Sequence, residues 1–143
     1  MEIIKETTFE KARNSIKKTD KTIIFSSDDD ELNRKVLEKL PIKILLINQA
    51  HRKDYQKQRN SGLDSPMAKV AKKNKITIGI NLKEILESSE EKKEKILSRI
   101  RQNIKLCNKN KLEMIFLPKL RDSHSLKALG LVLGMPTWMT KDL

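Results

Sequence analysis

Apolar residues occur along this chain in short bursts, and the stretches between them carry a helical period. Residues 2–5 form a weak, short strand. Thr8 can cap a helix over 9–18, with Phe9, Ala12 and Ile16 on one face. The β-branched and aromatic run at 22–26 predicts a buried strand. Ser27 or Asp28 then caps a second helix, whose stripe is Leu32, Val36, Leu37 and Leu40 and whose end is set by Pro41. A nearly all-aliphatic third strand follows at 42–47.

The stretch 48–61, NQAHRKDYQKQRNS, has no apolar period and a surplus of positive charge. It predicts a long exposed loop, a kind of segment that is uncommon and usually functional or disordered. Gly62 precedes a helix at 63–74, capped by Asp64 or Ser65, with Pro66 suited to its first position. Met67, Val70 and Ala71 face inward there, and Lys69, Lys72 and Lys73 do not. A fourth strand spans 76–80, where Gly79 predicts close backbone packing or a bend. A helical turn at 82–86 leads to the longest helix, 90–107, with Ile96, Ile100, Ile104 and Cys107 in one stripe. A fifth strand covers 112–117. Ser123 or Ser125 starts a last helix through Leu133, capped by Gly134 and stopped by Pro136.

Alternating helices and fully apolar strands imply an α/β fold with a parallel sheet covered by helices. Successive βα units could make an open sheet or part of a barrel. About five units are too few for a complete eight-fold barrel, which needs roughly 200 residues or more. The 143 residues fit one domain with a core of its own.

Composition narrows the function. The chain has 31 Lys and Arg against 19 Asp and Glu, a net charge of +12. A polyanion is the natural partner, because each neutralised phosphate releases counterions. Aromatics are only 3% of residues, so a nucleic-acid contact would rest on charge and shape rather than on base stacking. The single cysteine, Cys107, excludes an internal disulfide and is expected to be buried. No apolar h-region marks the first ten residues, and no apolar run is long enough to span a bilayer. A cytoplasmic protein with no membrane partner is the expectation.

Catalytic chemistry finds little to work with. His51 and His124 are the only histidines, and neither sits in a ligand-spaced cluster. The Asp28-Asp29-Asp30-Glu31 run suits a helix N-terminus better than a Mg²⁺ site. Phosphate-binding glycine loops and nucleophile elbows are missing. The basic features are the better candidates. One is the loop, with His51, Arg52, Lys53, Lys57 and Arg59. Another is the helix after it, with Lys69, Lys72 and Lys73. A third is Lys105, Lys109 and Lys111, with Arg99 and Arg101 nearby. The fourth is Lys119 and Arg121, just beyond a strand's C-terminal end, where ligands of α/β folds gather. Arginine binds phosphate bidentately, which weights the arginines over the lysines.

Two stretches carry a family resemblance. One is Ser61-Gly62-Leu63-Asp64-Ser65-Pro66-Met67-Ala68-Lys69, continuing through Lys73-Asn74 to the strand at 76–80. The other is Arg121-Asp122-Ser123, leading into Leu129-Gly130-Leu131-Val132-Leu133-Gly134-Met135. With Arg99, Arg101 and Asn103 between them, this order resembles the archaeal ribonuclease P protein component 3 family, related to the thirty-kilodalton subunit of the eukaryotic enzyme. The resemblance implies a TIM-barrel-like fold, similar to polymerase-and-histidinol-phosphatase domains but without their metal site. It implies a single domain over 1–143 that lacks the family's first βα units, and so an incomplete barrel with helices packed outside.

The resemblance also implies a non-catalytic subunit of the ribonucleoprotein that removes the 5′ leader from precursor tRNA. The protein would bind no cofactor, and the RNA subunit would hold the catalytic Mg²⁺. Its partners would be the ribonuclease P RNA, protein component 2 and, through the holoenzyme, precursor tRNA. Motif position makes Arg59, Lys73, Arg121 and Arg34 candidate RNA contacts. The full candidate set is Arg34, Arg52, Arg59, Lys69, Lys73, Arg101 and Arg121, with no catalytic or metal residue. Open strand edges of an incomplete barrel further predict a homodimer or reliance on the partner protein. Two rivals stand beside this reading: a generic basic RNA-binding module, and a divergent metal-dependent phosphoesterase.

Overall fold

The computed structural model describes residues 1–143. Five strands form one sheet in chain order: β1 (Glu2–Ile4), β2 (Ile23–Ser26), β3 (Ile44–Ile47), β4 (Thr77–Asn81) and β5 (Met114–Leu117). Every neighbouring pair is parallel. The intervening helices are α1 (Phe9–Lys17), α2 (Asp30–Lys39), α3 (Ser65–Lys73), α4 (Leu82–Glu87) and α5 (Glu90–Lys109), with α6 (Ser123–Val132) and α7 (Thr137–Thr140) after β5.

All seven helices pack on one face of the sheet. Their buried residues join Ile4, Phe25, Leu45, Ile47, Ile78, Ile80, Met114 and Phe116 in a single core. The other face holds a smaller cluster of strand residues only: Ile24, Ile44, Leu46 and Leu117. Strands added in order, with helices on one side, are the arc of a TIM-barrel-like sheet, as expected. Gly79 sits on this second face, beside Leu46 and Ile44. A Cβ there would lie 3.0 Å from Leu46 Cδ1 and 3.3 Å from the Leu46 Cα, so the close packing expected of it is present.

Helix starts follow capping chemistry. The Thr8 hydroxyl accepts from the Lys11 N–H, and the Asp64 carboxylate accepts from the Met67 N–H. For α2 the cap is neither Ser27 nor Asp28. The Asp29 carboxylate takes the N–H groups of Glu31 and Leu32, while Ser27 Oγ accepts from the Asp29 N–H and Asp28 accepts from Asn48. The last expected helix, α6, is capped by Asp122 and is not the last: Pro136 opens the short helix α7. Met135, Thr140 and Leu143 close over Gly130, where a Cβ would meet all three within 3.2 Å. A single turn of helix is too short to show the 3.6-residue period, so only this packing reveals it.

Candidate nucleic-acid interface

The segment 48–61 is pinned at its base and open at its tip. Glu84 of α4 accepts from the backbone N–H groups of Gln49 and Ala50 at 2.7 and 2.9 Å. The Ser61 carbonyl accepts from the side-chain amides of Gln49 and Asn103, and Ser61 Oγ accepts from Gln102. Arg99, buried on α5, reaches into the segment with three donors: to Asp54 Oδ1, the Gln49 carbonyl and the Arg52 carbonyl, each at 2.9 Å. The Asp54 carboxyl is thereby held below its ordinary value, chiefly by the Arg99 hydrogen bond, against an opposing contribution from burial. The long exposed loop expected here is present. The backbone ties make it a fixed one, with His51 and residues 53–59 exposed.

Two arginines expected at the surface are internal. Arg52 turns its guanidinium inward onto both carboxylate oxygens of Asp30, at 2.7 and 2.8 Å, and onto the Asn48 carbonyl at 2.7 Å. Its side chain is only 8% exposed, so it is withdrawn from any RNA-facing surface and ties the loop to α2. Gly62 makes room for it. With φ at +80° and the Arg52 Nη2 only 2.3 Å from where a Cβ would stand, glycine alone fits this position. Arg99, placed with the basic patch of the long helix, is 3% exposed and spends its charge on the loop. A sequence pattern marks an arginine as basic without showing which way it turns.

The pinned loop, α2, α3 and α5 enclose a cleft of about 410 Å³. Arg34, Lys35, Tyr55 and Arg59 supply its cations and its one aromatic ring, and Asp30, Glu31 and Asp64 its carboxylates. Arg34 pairs with Asp64 at the surface, where both side chains are nearly half exposed. Such a pair contributes about 0–1 kcal/mol, so a phosphate can take over the guanidinium at little cost. Arg59 is exposed and forms no ion pair within the chain. Tyr55, 63% exposed, was not singled out from the sequence, because scarcity of aromatics argued against stacking.

The structure therefore brings Arg34 and Arg59 together and leaves the other candidates apart. Lys69 and Lys73 lie exposed along α3, and Arg101 is exposed on α5. Arg121 lies beyond the C-terminal end of the edge strand β5 and donates only to the neighbouring Leu120 carbonyl.

The C-terminal ends of β2, β3 and β4, where an α/β enzyme gathers its ligands, carry amides and a hydroxyl. Asn81 donates to Asn48, and Asn48 donates to Ser26 Oγ and to Asp28. No group of three or more His, Cys, Asp or Glu side chains converges anywhere. Cys107 is fully buried, and burial pushes its thiol up to about 12, away from nucleophilic use. No helix is long and apolar enough to cross a membrane.

Comparison with known proteins bears on this arrangement. No family model matches the chain. Ribonuclease P protein component 3 of Methanococcus maripaludis strain C7 is 27% identical over 134 residues, covering 94% of this chain and 55% of the relative. The same protein of strain C6 is 27% identical over 138 residues, covering 96% and 55%. The chain resembles ribonuclease P protein component 3. It spans about half the length of these component 3 relatives. A chain in the cryo-EM structure of archaeal ribonuclease P with mature tRNA shares the fold, with a TM-score of 0.81 at 23% identity, over 97% of this chain and 62% of that one. The Ser-Gly pair of the component 3 resemblance now has a physical reason: the Ser61 carbonyl gathers two buried amides, and Gly62 admits Arg52.

Proposed function

We propose that the chain is a non-catalytic protein subunit of ribonuclease P. In this role it binds and stabilises the RNA that cleaves the 5′ leader from precursor tRNA. The observation that carries the reading is the similarity to component 3 along nearly the whole chain, on a fold whose strand ends hold no ligand set. The net charge of +12 supplies the electrostatics. In this reading the RNA holds the catalytic Mg²⁺ and the protein transfers no proton.

Arg34 and Arg59 in the cleft are the RNA contacts we assign first, with Lys69 and Lys73 on α3, Arg101 on α5 and Arg121 beyond β5 as separate exposed contacts. Each neutralises phosphate rather than reading sequence. In the bound geometry of this reading, Arg34 exchanges Asp64 for a phosphate oxygen. Component 2 is the protein partner of this reading, the cytoplasm its location, and self-association or component 2 the cover for the sheet edges at β1 and β5.

Co-elution tests the partner assignments. The chain, ribonuclease P RNA and component 2 should leave a sizing column together at about 0.1 M salt, and the chain should either self-associate in light scattering or gain thermal midpoint on adding component 2. Separate elution of chain and RNA would contradict the reading.

A further inference from the structure

Two sequence-distant basic stretches meet at the N-terminal pole of the sheet, on the opposite side from the strand ends discussed above. Lys73-Asn74-Lys75-Ile76 runs into β4, and Lys109-Asn110-Lys111-Leu112 runs into β5. The two fold identically. Ile76 N–H donates to the Ala71 carbonyl and Lys75 N–H to Lys72; Leu112 N–H donates to Cys107 and Lys111 N–H to Asn108. Each is the turn that ends a helix with one left-handed residue, a position that glycine normally fills. Here both positions are lysine, at φ 57° and 55°. A lysine held in the left-handed region twice, in the same turn, points to use of its charge.

The two turns are fastened to each other and to the chain's single tryptophan. Lys72 Nζ donates to the Lys111 carbonyl at 3.0 Å. The Lys111 ammonium lies 5.7 Å from the centre of the Trp138 ring, within cation–π range. Trp138 Nε1 donates to Asn108 at 3.0 Å, which fixes the ring while leaving it 37% exposed. Around this point a cavity of about 550 Å³ is lined by Lys43, Lys72, Lys75, Lys111 and Trp138, with Glu113 its one carboxylate. Four ammonium groups against one carboxylate, gathered from three αβ turns and a helix, make a concave cationic surface that is distinct from the cleft of Arg34 and Arg59.

We propose that this pole is a second RNA-binding surface, which takes the sugar–phosphate backbone on Lys43, Lys72, Lys75 and Lys111 beside Trp138. The proposal rests on the RNA-binding reading above and adds a separate site to it. Lysines act here as point charges on phosphate, with no demand for base identity. A strand that occupied the cleft and the pole together would gain by multivalency what neither surface holds alone.

Trp138 reports on the site directly. Its emission should change when a single-stranded uridine oligonucleotide is titrated into the full chain. The double variant Lys75→Gly, Lys111→Gly relieves both left-handed positions, so its thermal midpoint should be unchanged or higher. Its RNA affinity should nevertheless fall roughly 25-fold at about 0.1 M salt, and the slope of log K against log salt should become shallower by about 1.4. Lys75→Gln with Lys111→Gln, which removes the charge but keeps a polar side chain on each turn, should give the same shallower slope. RNA binding by the wild type with an unchanged slope in both double variants would overturn this inference and leave the subunit reading standing. A lowered midpoint in the glycine variant would mean that the lysines hold the turns, and would overturn it too. No RNA binding by the wild type would sink both.

Discussion

The Nε–H of Arg99 donates to Asp54 Oδ1 across 2.9 Å, joining two residues 45 positions apart. One end is a buried helix residue, and the other belongs to the exposed tip of the loop, residues 53–59. Through this pair, and the two carbonyls Arg99 also holds, the core fixes the placement of Tyr55 and Arg59. The loop side of the cleft is thus positioned by an arginine that is almost wholly buried.

Arg99→Ala should cost about 3 kcal/mol, because it leaves two loop carbonyls without their side-chain donor and Asp54 with only the Asn60 N–H. The loop should also open: trypsin should cut after Lys53 or Lys57 in the variant at protease levels that leave the wild type intact. A urea midpoint equal to wild type, with no new cleavage, would contradict the anchoring role.

The same pair sets an acid limit. Asp54 has its folded value lowered from the usual 3.8, first by the Arg99 hydrogen bond and then by the Asn60 N–H. A carboxylate depressed by folding contributes stability that is fully present above the unfolded value and is lost as pH falls through the folded one. Hydrogen exchange of the loop amides should therefore show constant protection from neutral pH down to about 4, once the intrinsic rate is removed, and declining protection below that. Asp54→Asn should abolish this decline.

Arg52 and Arg59 sit seven residues apart and should respond differently to the same change. Arg52→Ala should lower the thermal midpoint and leave the salt dependence of RNA binding unaltered, since its guanidinium is spent on Asp30. Arg59→Ala should leave the midpoint alone and reduce the salt slope by about 1. Gly62→Ala should behave as Arg52→Ala does, at about 2 kcal/mol, from left-handed strain and displacement of the guanidinium. Calorimetry beside a salt titration separates Arg59→Ala from the other two.

Cys107 should be silent to alkylation in the native protein at pH 8, because its thiol is fully buried and titrates near 12. Labelling by a maleimide should follow global unfolding, accelerating with urea in step with loss of the helical signal. Rapid labelling without denaturant would mean that α5 opens locally.

The fold was largely legible because its signals are short-range. Apolar runs such as 23–26 and 44–47 are buried on both faces, as their lack of alternation implied. The stripe of Ile96, Ile100, Ile104 and Cys107 is buried in register on α5. The Ser-Gly and Leu-Gly stretches carried the family resemblance for a packing reason that only coordinates reveal. The interface was less legible. Charge says how many cations there are, and tertiary contacts say which are free. Arg52 and Arg99 look like Arg59 and Arg101 in a sequence, yet the first two are consumed by carboxylates and carbonyls. Lys43, Lys75 and Trp138 were overlooked because they converge from three separate units, and a lone tryptophan gives no period to read.

The central claim, that this chain serves the ribonuclease P RNA, is tested most directly by reconstitution. The cognate RNA and the other protein subunits are combined at modest Mg²⁺, with and without this chain, and 5′ cleavage of precursor tRNA is followed. Cleavage should rise when the chain is added, and the rise should shrink with Arg34→Ala and Arg59→Ala together. An assembly that cleaves equally well without the chain would contradict the account.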